Sequence, residues 1–133
     1  MKYNELSVQS SKRNEMILIT EKINNLISLN GYKNGKITLF IPHTTAAITI
    51  NENADPDVKN DILKGLDKIS PNLPEYRHYE GNSDAHIKSS LIGCSQDVLL
   101  KNGKLILGTW QGIYFCEFDG PRHRRIIIGF EGK

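Results

Sequence analysis

The sequence predicts a single α+β domain: a mostly antiparallel or mixed β sandwich- or barrel-like sheet with two to three helices. Three observations lead there. The second half reads as a series of short apolar runs with few helices between them. Asn102-Gly103 stands between two such runs, the strongest short hairpin signal in the chain. The first half carries two segments with helical periodicity and their own start and stop residues.

In chain order, residues 3–8 alternate weakly as a first strand, and Met16 to Ile19 form a second. Thr20 is placed to cap a helix over 21–30, where Ile23, Leu26 and Ile27 share a face and Gly31 stops it. Gly35 opens a strand with Ile37, Leu39 and Ile41 alternating against Thr38 and Phe40. After Pro42 the chain extends again through Asn51. Asp55-Pro56 is a strong helix start, and Val58, Ile62, Leu66 and Ile69 repeat at helical spacing over 56–69. Its other face, Asp57, Lys59, Asp61, Lys64 and Lys68, is a solvated one. A short helix over 84–93 is capped by Ser83, and strands near 96–101, 104–110, 112–118 and 124–130 complete about seven.

The bulk numbers narrow the class. A chain of 133 residues fits one domain, burying roughly two-thirds of its unfolded surface. With 38% hydrophobic and 24% charged residues it is globular, and a net charge of +2 makes nucleic acid an unlikely partner. Cys94 and Cys116 form no CxxC unit or zinc-ribbon spacing and read as small buried hydrophobes. The N-terminal stretch lacks an apolar h-region, and no run approaches the roughly 20 residues of a membrane span. The expectation is a cytoplasmic protein with no membrane partner.

Four segments are polar where a bland domain would be apolar. The first runs from Pro42 to Asn53. As a strand it points His43, Thr45, Thr49 and Asn51 one way and Ala46, Ile48 and Ile50 to the core. Hydroxyls, an amide and an imidazole suit a polar ligand, and equally the solvated face of an edge strand. The second, Tyr76 to Ser90, places His78, Glu80, Asp84 and His86 about a helix N-terminus. That arrangement suits an anion, a divalent metal, or simple capping. In the third, Gly108-Thr109-Trp110-Gln111-Gly112, the only tryptophan can stack on a ring that Gln111 hydrogen-bonds, or fill core at a bulge. In the fourth, Glu117 to Arg125, an Asp-Gly-Pro turn precedes basic residues that can fork onto phosphate or end a solvated strand. There is no GxSxG, P-loop or GxGxxG.

Together and in this order, these segments resemble the secondary thiamine-phosphate synthase (YjbQ-like) family. The likeness rests on His43-Thr44-Thr45-Ala46 with Asn51-Glu52-Asn53 and Asp55-Pro56, and on His78, Glu80, Gly81 and His86 to Ser90. Gly108 to Ile113 and Arg124-Arg125 complete it. The resemblance implies a homotrimer and a site where His43, His78 and His86 meet around a divalent metal, zinc or magnesium. It also implies a weak thiamine-phosphate synthase activity. On that reading Thr44, Thr45, Asn51, Lys88, Trp110, Gln111 and Arg122 bind substrate, and Glu52 or Asp84 is a general base or a further metal partner. The function expected is a transferase-like enzyme acting on a phosphorylated small molecule. The alternative is a non-catalytic trimeric module that binds a metal or another ligand at the same place.

Overall fold

A computed structural model describes residues 1–133. Eight strands and three helices follow in the order β1 (Lys2–Gln9), β2 (Glu15–Leu18), α1 (Thr20–Asn30), β3 (Gly35–Phe40), β4 (Ala46–Glu52), α2 (Pro56–Ile69), α3 (Ser83–Ile92), β5 (Ser95–Lys101), β6 (Lys104–Leu105), β7 (Gln111–Glu117) and β8 (His123–Gly132). Every strand pairing is antiparallel. The strands form a five-stranded sheet, β1-β8-β3-β5-β6, and a three-stranded sheet, β2-β7-β4. The fold class is the α+β expected, one domain with three helices and curled antiparallel sheets.

Packing explains the layers. The inner face of the large sheet gives Ile37, Leu39, Val98, Ile126 and Ile128 to the main core, where they meet Ile48, Ile113 and Phe115 of the small sheet and Ile23 and Ile27 of α1. The small sheet's other face presents Met16, Ala47, Tyr114 and Cys116 to Leu66 of α2 and Ala85 of α3. The small sheet is therefore a middle layer, apolar on both faces. This corrects the reading of residues 43–51 as a strand with one polar face. The strand begins at Ala46, Thr45 is buried ahead of it, and Ala46 to Ile48 are all buried.

The helices follow their local chemistry. Asp55 accepts a hydrogen bond from the Asp57 N–H at 2.9 Å, capping α2 as its sequence requires. Gly31 ends α1 in the left-handed conformation. Thr20 does not cap α1; it lies inside the helix and its hydroxyl accepts from the Ile113 N–H at 2.9 Å. Ser83 likewise lies within α3, whose N-cap is Asn82.

Asn102 and Gly103 take φ of 52° and 77°, the pair of positive values that a two-residue hairpin turn demands. The strand expected over 104–110 stops at Leu105. Beyond it the chain leaves the large sheet and turns into the small one at Gln111, where Gly108 O accepts from the Gln111 N–H at 3.1 Å. Of the two cysteines, Cys116 is buried, which pushes its thiol up to about 12, whereas Cys94 is exposed, contrary to its expected burial.

Candidate functional site

Where β4 begins, β7 ends and β8 starts, the two sheets meet α3 around a cavity of about 430 Å³. Apart from Pro42, every residue lining it is polar or charged. His43, Thr44 and Thr45 arrive from the β3–β4 connection and His78 and Glu80 from the α2–α3 loop. Asn82 and His86 come from the start of α3, and Asp119, Arg122 and Arg124 from the β7–β8 turn and β8.

The floor is a buried ion pair. Glu117, with no exposed surface, accepts from Arg124 Nε at 2.8 Å, from Ser10 Oγ at 2.6 Å and from the Asp119 N–H at 3.0 Å. Burial pushes its carboxyl up, but Arg124 and these donors outweigh burial and hold it below its ordinary value. Arg124 also donates to Thr45 Oγ1 at 2.8 Å, tying the floor to the first segment. Thr45 is thereby explained: its hydroxyl is buried to satisfy an arginine. The wall repeats the pattern nearer solvent, with Arg122 donating to Asp119 Oδ2 at 3.0 Å and to its carbonyl at 2.8 Å. Asp119 also stays below its ordinary value; burial opposes this, and hydrogen bonds from Asn82 and Arg122 prevail.

His43 is held neutral. Burial lowers its pKa first, and the charges of Arg124 and Arg125 lower it further. Its Nε2 accepts from the Arg125 backbone N–H at 3.0 Å, so the ring proton sits on Nδ1. His43 is therefore a hydrogen-bond donor at Nδ1. The rings of His78 and His86 meet edge to face with centroids 5.3 Å apart. All three histidines line one cavity, yet no group of three or more His, Cys, Asp or Glu side chains is arranged to hold a metal ion. Within this chain His43, His78 and His86 share the cavity without closing a three-ligand cage.

Other expected site residues lie elsewhere. Asp84 is buried and gripped at both oxygens by Arg13, at 3.0 and 3.1 Å. Burial opposes its ionisation, but Arg13 and Lys88 keep its pKa low, so it is a structural anion rather than a base. Lys88, 1% exposed, is held by Asp67 and lies 3.8 Å from Asp84, so its charge serves the packing of α3 on its surroundings. Asn51, Glu52, Trp110 and Gln111 sit at the opposite end of the β4–β7 pair, where Glu52 faces Gln111. Asn51 Oδ1 accepts from the Glu52 N–H, and Gln111 Oε1 accepts from the Gly108 N–H at 2.8 Å. Trp110 is 62% exposed, neither core filler nor part of the cavity. Gly112 is needed for packing: a Cβ there would stand 2.7 Å from Leu18 and 2.8 Å from Asn53.

Asn82, Glu80, Asp119 and Arg124 were not among the expected site residues. All four lie inside segments marked as polar. Asn82 was obscured because Ser83, beside it, is an equally good cap by type.

Fold and pocket define a class, an antiparallel α+β domain with a mainly polar, three-histidine cavity where its sheets meet. This chain belongs to the YjbQ family: residues 4–133 match the family described as UPF0047 protein YjbQ-like. The chain is 54% identical over 128 residues to the UPF0047 protein YugU of Bacillus subtilis, covering 96% of this chain and 97% of that one. It is 39% identical to the UPF0047 protein YjbQ of Salmonella typhimurium, with each chain covered in full. An uncharacterised conserved protein of the family from Clostridium acetobutylicum superposes with a TM-score of 0.92 at 52% identity, covering 96% of this chain and 99% of the other. A hypothetical protein from Aeropyrum pernix does so with a TM-score of 0.94 at 32% identity and full coverage of both. No helix of this chain is long and apolar enough to cross a membrane.

Proposed function

We propose that this chain is an enzyme that binds a small phosphorylated molecule by its phosphate in the three-histidine cavity. One observation supports this reading most: arginine, histidine, threonine and asparagine side chains surround a space of about 430 Å³ whose lining is mainly polar. Phosphate oxygens need several donors. Arg122 and Arg124 supply them through the guanidinium N–H groups not taken by Asp119, Glu117 and Thr45, and His43 through Nδ1. His78 and His86 face the same space, and imidazoles are the side chains best suited to pass a proton near neutral pH.

Within this class, joining a pyrimidine methyl diphosphate to a thiazole phosphate needs diphosphate held as it leaves, which the arginines suit. The ring partners need stacking surfaces, and Trp110 lies at the far end of β7. The geometry therefore favours phosphate recognition over ring recognition.

The first experiment is calorimetric titration of the purified protein with inorganic phosphate and diphosphate, alone and with zinc or magnesium. Saturable binding weakened at least tenfold by Arg122→Ala is the expected result; no binding overturns the proposal. A turnover screen then includes both thiamine precursors, with His86→Ala as the comparison. Binding without turnover of any phosphate ester leaves the non-catalytic module as the function. For assembly we propose a homotrimer, on the strength of the resemblance. The outer face of the large sheet carries Tyr3, Phe40 and Leu99 exposed, apolar area that assembly would cover. Light scattering that reports a monomer at micromolar concentration overturns that part.

A further inference from the structure

The residue that holds the cavity's two arginines in register lies outside the cavity. On the phosphate reading above, Arg122 and Arg124 present their free N–H groups to one anion at once, so their relative placement decides affinity. Each guanidinium is oriented by its own carboxylate, Asp119 for Arg122 and Glu117 for Arg124. What ties these two pairs to each other is Ser10, the residue that follows β1.

Ser10 is 2% exposed and lines no part of the cavity. Its hydroxyl oxygen lies 2.6 Å from Glu117 Oε1 and 3.1 Å from the Arg122 carbonyl oxygen, with one proton to give. The carboxylate is nearer and charged, so the proton goes there. The same hydroxyl oxygen accepts from the Arg122 backbone N–H at 2.8 Å. Beside this bridge the Arg122 carbonyl accepts from the Ser10 N–H and from Gln9 Nε2, both at 3.0 Å. Arg122 is thus held through its backbone by the hydroxyl that also steadies the carboxylate paired with Arg124. The packing leaves no slack: a Cβ on Gly120 would stand 2.7 Å from Ser10 Oγ and 2.2 Å from the Lys12 carbonyl oxygen. Gly120 instead donates its N–H to the Arg13 carbonyl at 3.0 Å, closing the β7–β8 turn onto the β1–β2 corner.

We infer that Ser10 is a positioning residue for anion binding: it fixes the Arg122 guanidinium relative to that of Arg124 without touching the ligand. Alanine in its place leaves the buried Glu117 carboxylate short of one donor and the Arg122 N–H short of its acceptor. Both arginines remain present and charged. What is lost is their register.

The test compares Ser10→Ala with Ser89→Ala by calorimetric titration with inorganic diphosphate. Ser89 is a matched control, also buried, whose hydroxyl donates to the Ala46 carbonyl at 2.7 Å and bonds neither arginine. Ser10→Ala weakens diphosphate binding about tenfold, whereas Ser89→Ala leaves it within about twofold. Lost register also has a spectroscopic signature. The Nε–H resonances of Arg122 and Arg124, each fixed by a hydrogen bond in the unaltered protein, move toward the free-arginine position in Ser10→Ala. In Ser89→Ala they stay in place. If Ser10→Ala binds diphosphate within about twofold of the unaltered protein, the inference is overturned while the phosphate reading stands. Equal weakening in both variants, or unmoved Nε–H resonances in Ser10→Ala, overturns it as well.

A readout on the unaltered protein covers the case in which Ser10→Ala fails to fold. Diphosphate shifts the Ser10 and Arg122 backbone amide resonances together with the two Nε–H signals, because the bridge ties them. Movement of the Nε–H signals with the Ser10 amide unmoved overturns the inference. If the unaltered protein does not bind diphosphate, the phosphate reading fails and this inference fails with it.

Discussion

The β4–β7 ladder has two ends with different fates. At one, Ala46 faces Glu117, and the chain around it builds the cavity; at the other, Glu52 faces Gln111. Six residue steps of about 3.3 Å put the ends roughly 20 Å apart. Both ends are rich in polar residues, and from sequence both qualified for one site. The difference lies in where their polar atoms go. At the Glu117 end, buried charges are paired and the atoms above them face a shared space. At the Glu52 end the amides of Asn51 and Gln111 are spent on nearby backbone N–H groups, and Trp110 faces solvent. Polarity marks a loop or a site alike, and only convergence separates them.

The largest effect expected at either end is on stability. Glu117→Ala leaves Arg124 charged and buried without its partner, a loss of about 3–5 kcal/mol in urea unfolding. Glu52→Ala, at the other end, is expected within about 1 kcal/mol. Equal losses would erase the distinction. The next effect is on binding. Arg122→Ala and His43→Ala each weaken diphosphate binding by about tenfold or more, while Trp110→Ala leaves it within twofold. Loss of binding in the tryptophan variant would return the far end to the site.

Two pH effects are smaller. Glu117, Asp84 and Asp119 have depressed values in the folded state, so their stabilisation is complete above the ordinary carboxylate range. It is lost as the pH falls through that range, since the unfolded chain takes up protons first. His43 acts in the same direction: its value is lowered, so the unfolded state binds its proton first and stability declines below about pH 6.5. Urea titrations from pH 8 to 3 should show both losses, and Glu117→Gln should flatten the acid one. The least effect is optical. The single tryptophan lies at the far end, so diphosphate binding leaves its fluorescence unchanged; a saturable change would contradict the separation.

Much of the fold was legible because its signals are local. Asp55-Pro56 announces α2, Gly31 ends α1 and Asn102-Gly103 makes the hairpin. What was not legible depends on partners distant in the chain. Lys88 and Asp84 look like site chemistry until Asp67 appears beside the lysine, from 21 residues before it, and Arg13 beside the aspartate, from 71 residues before it. The strand over 104–110 looked continuous because leaving one sheet for another has no signature in apolar pattern. The three histidines were visible by type, whereas the part of Ser10 became visible only with Glu117 and Arg122 beside it, 107 and 112 residues later in the chain.

The place of β8 has a consequence for how the protein is made. It is the last of the eight strands in synthesis, yet it lies between β1 and β3 in the large sheet and supplies Arg124 to the floor of the cavity. Until β8 is added, β1 has no neighbour in its sheet and Glu117 has no arginine. The small sheet and the helices can gather as the nascent chain emerges, but the larger sheet and the cavity must wait until β8 has left the ribosome. A truncated product lacking β8 would expose two strand edges at once, leaving incomplete chains without the cavity's floor and prone to aggregation.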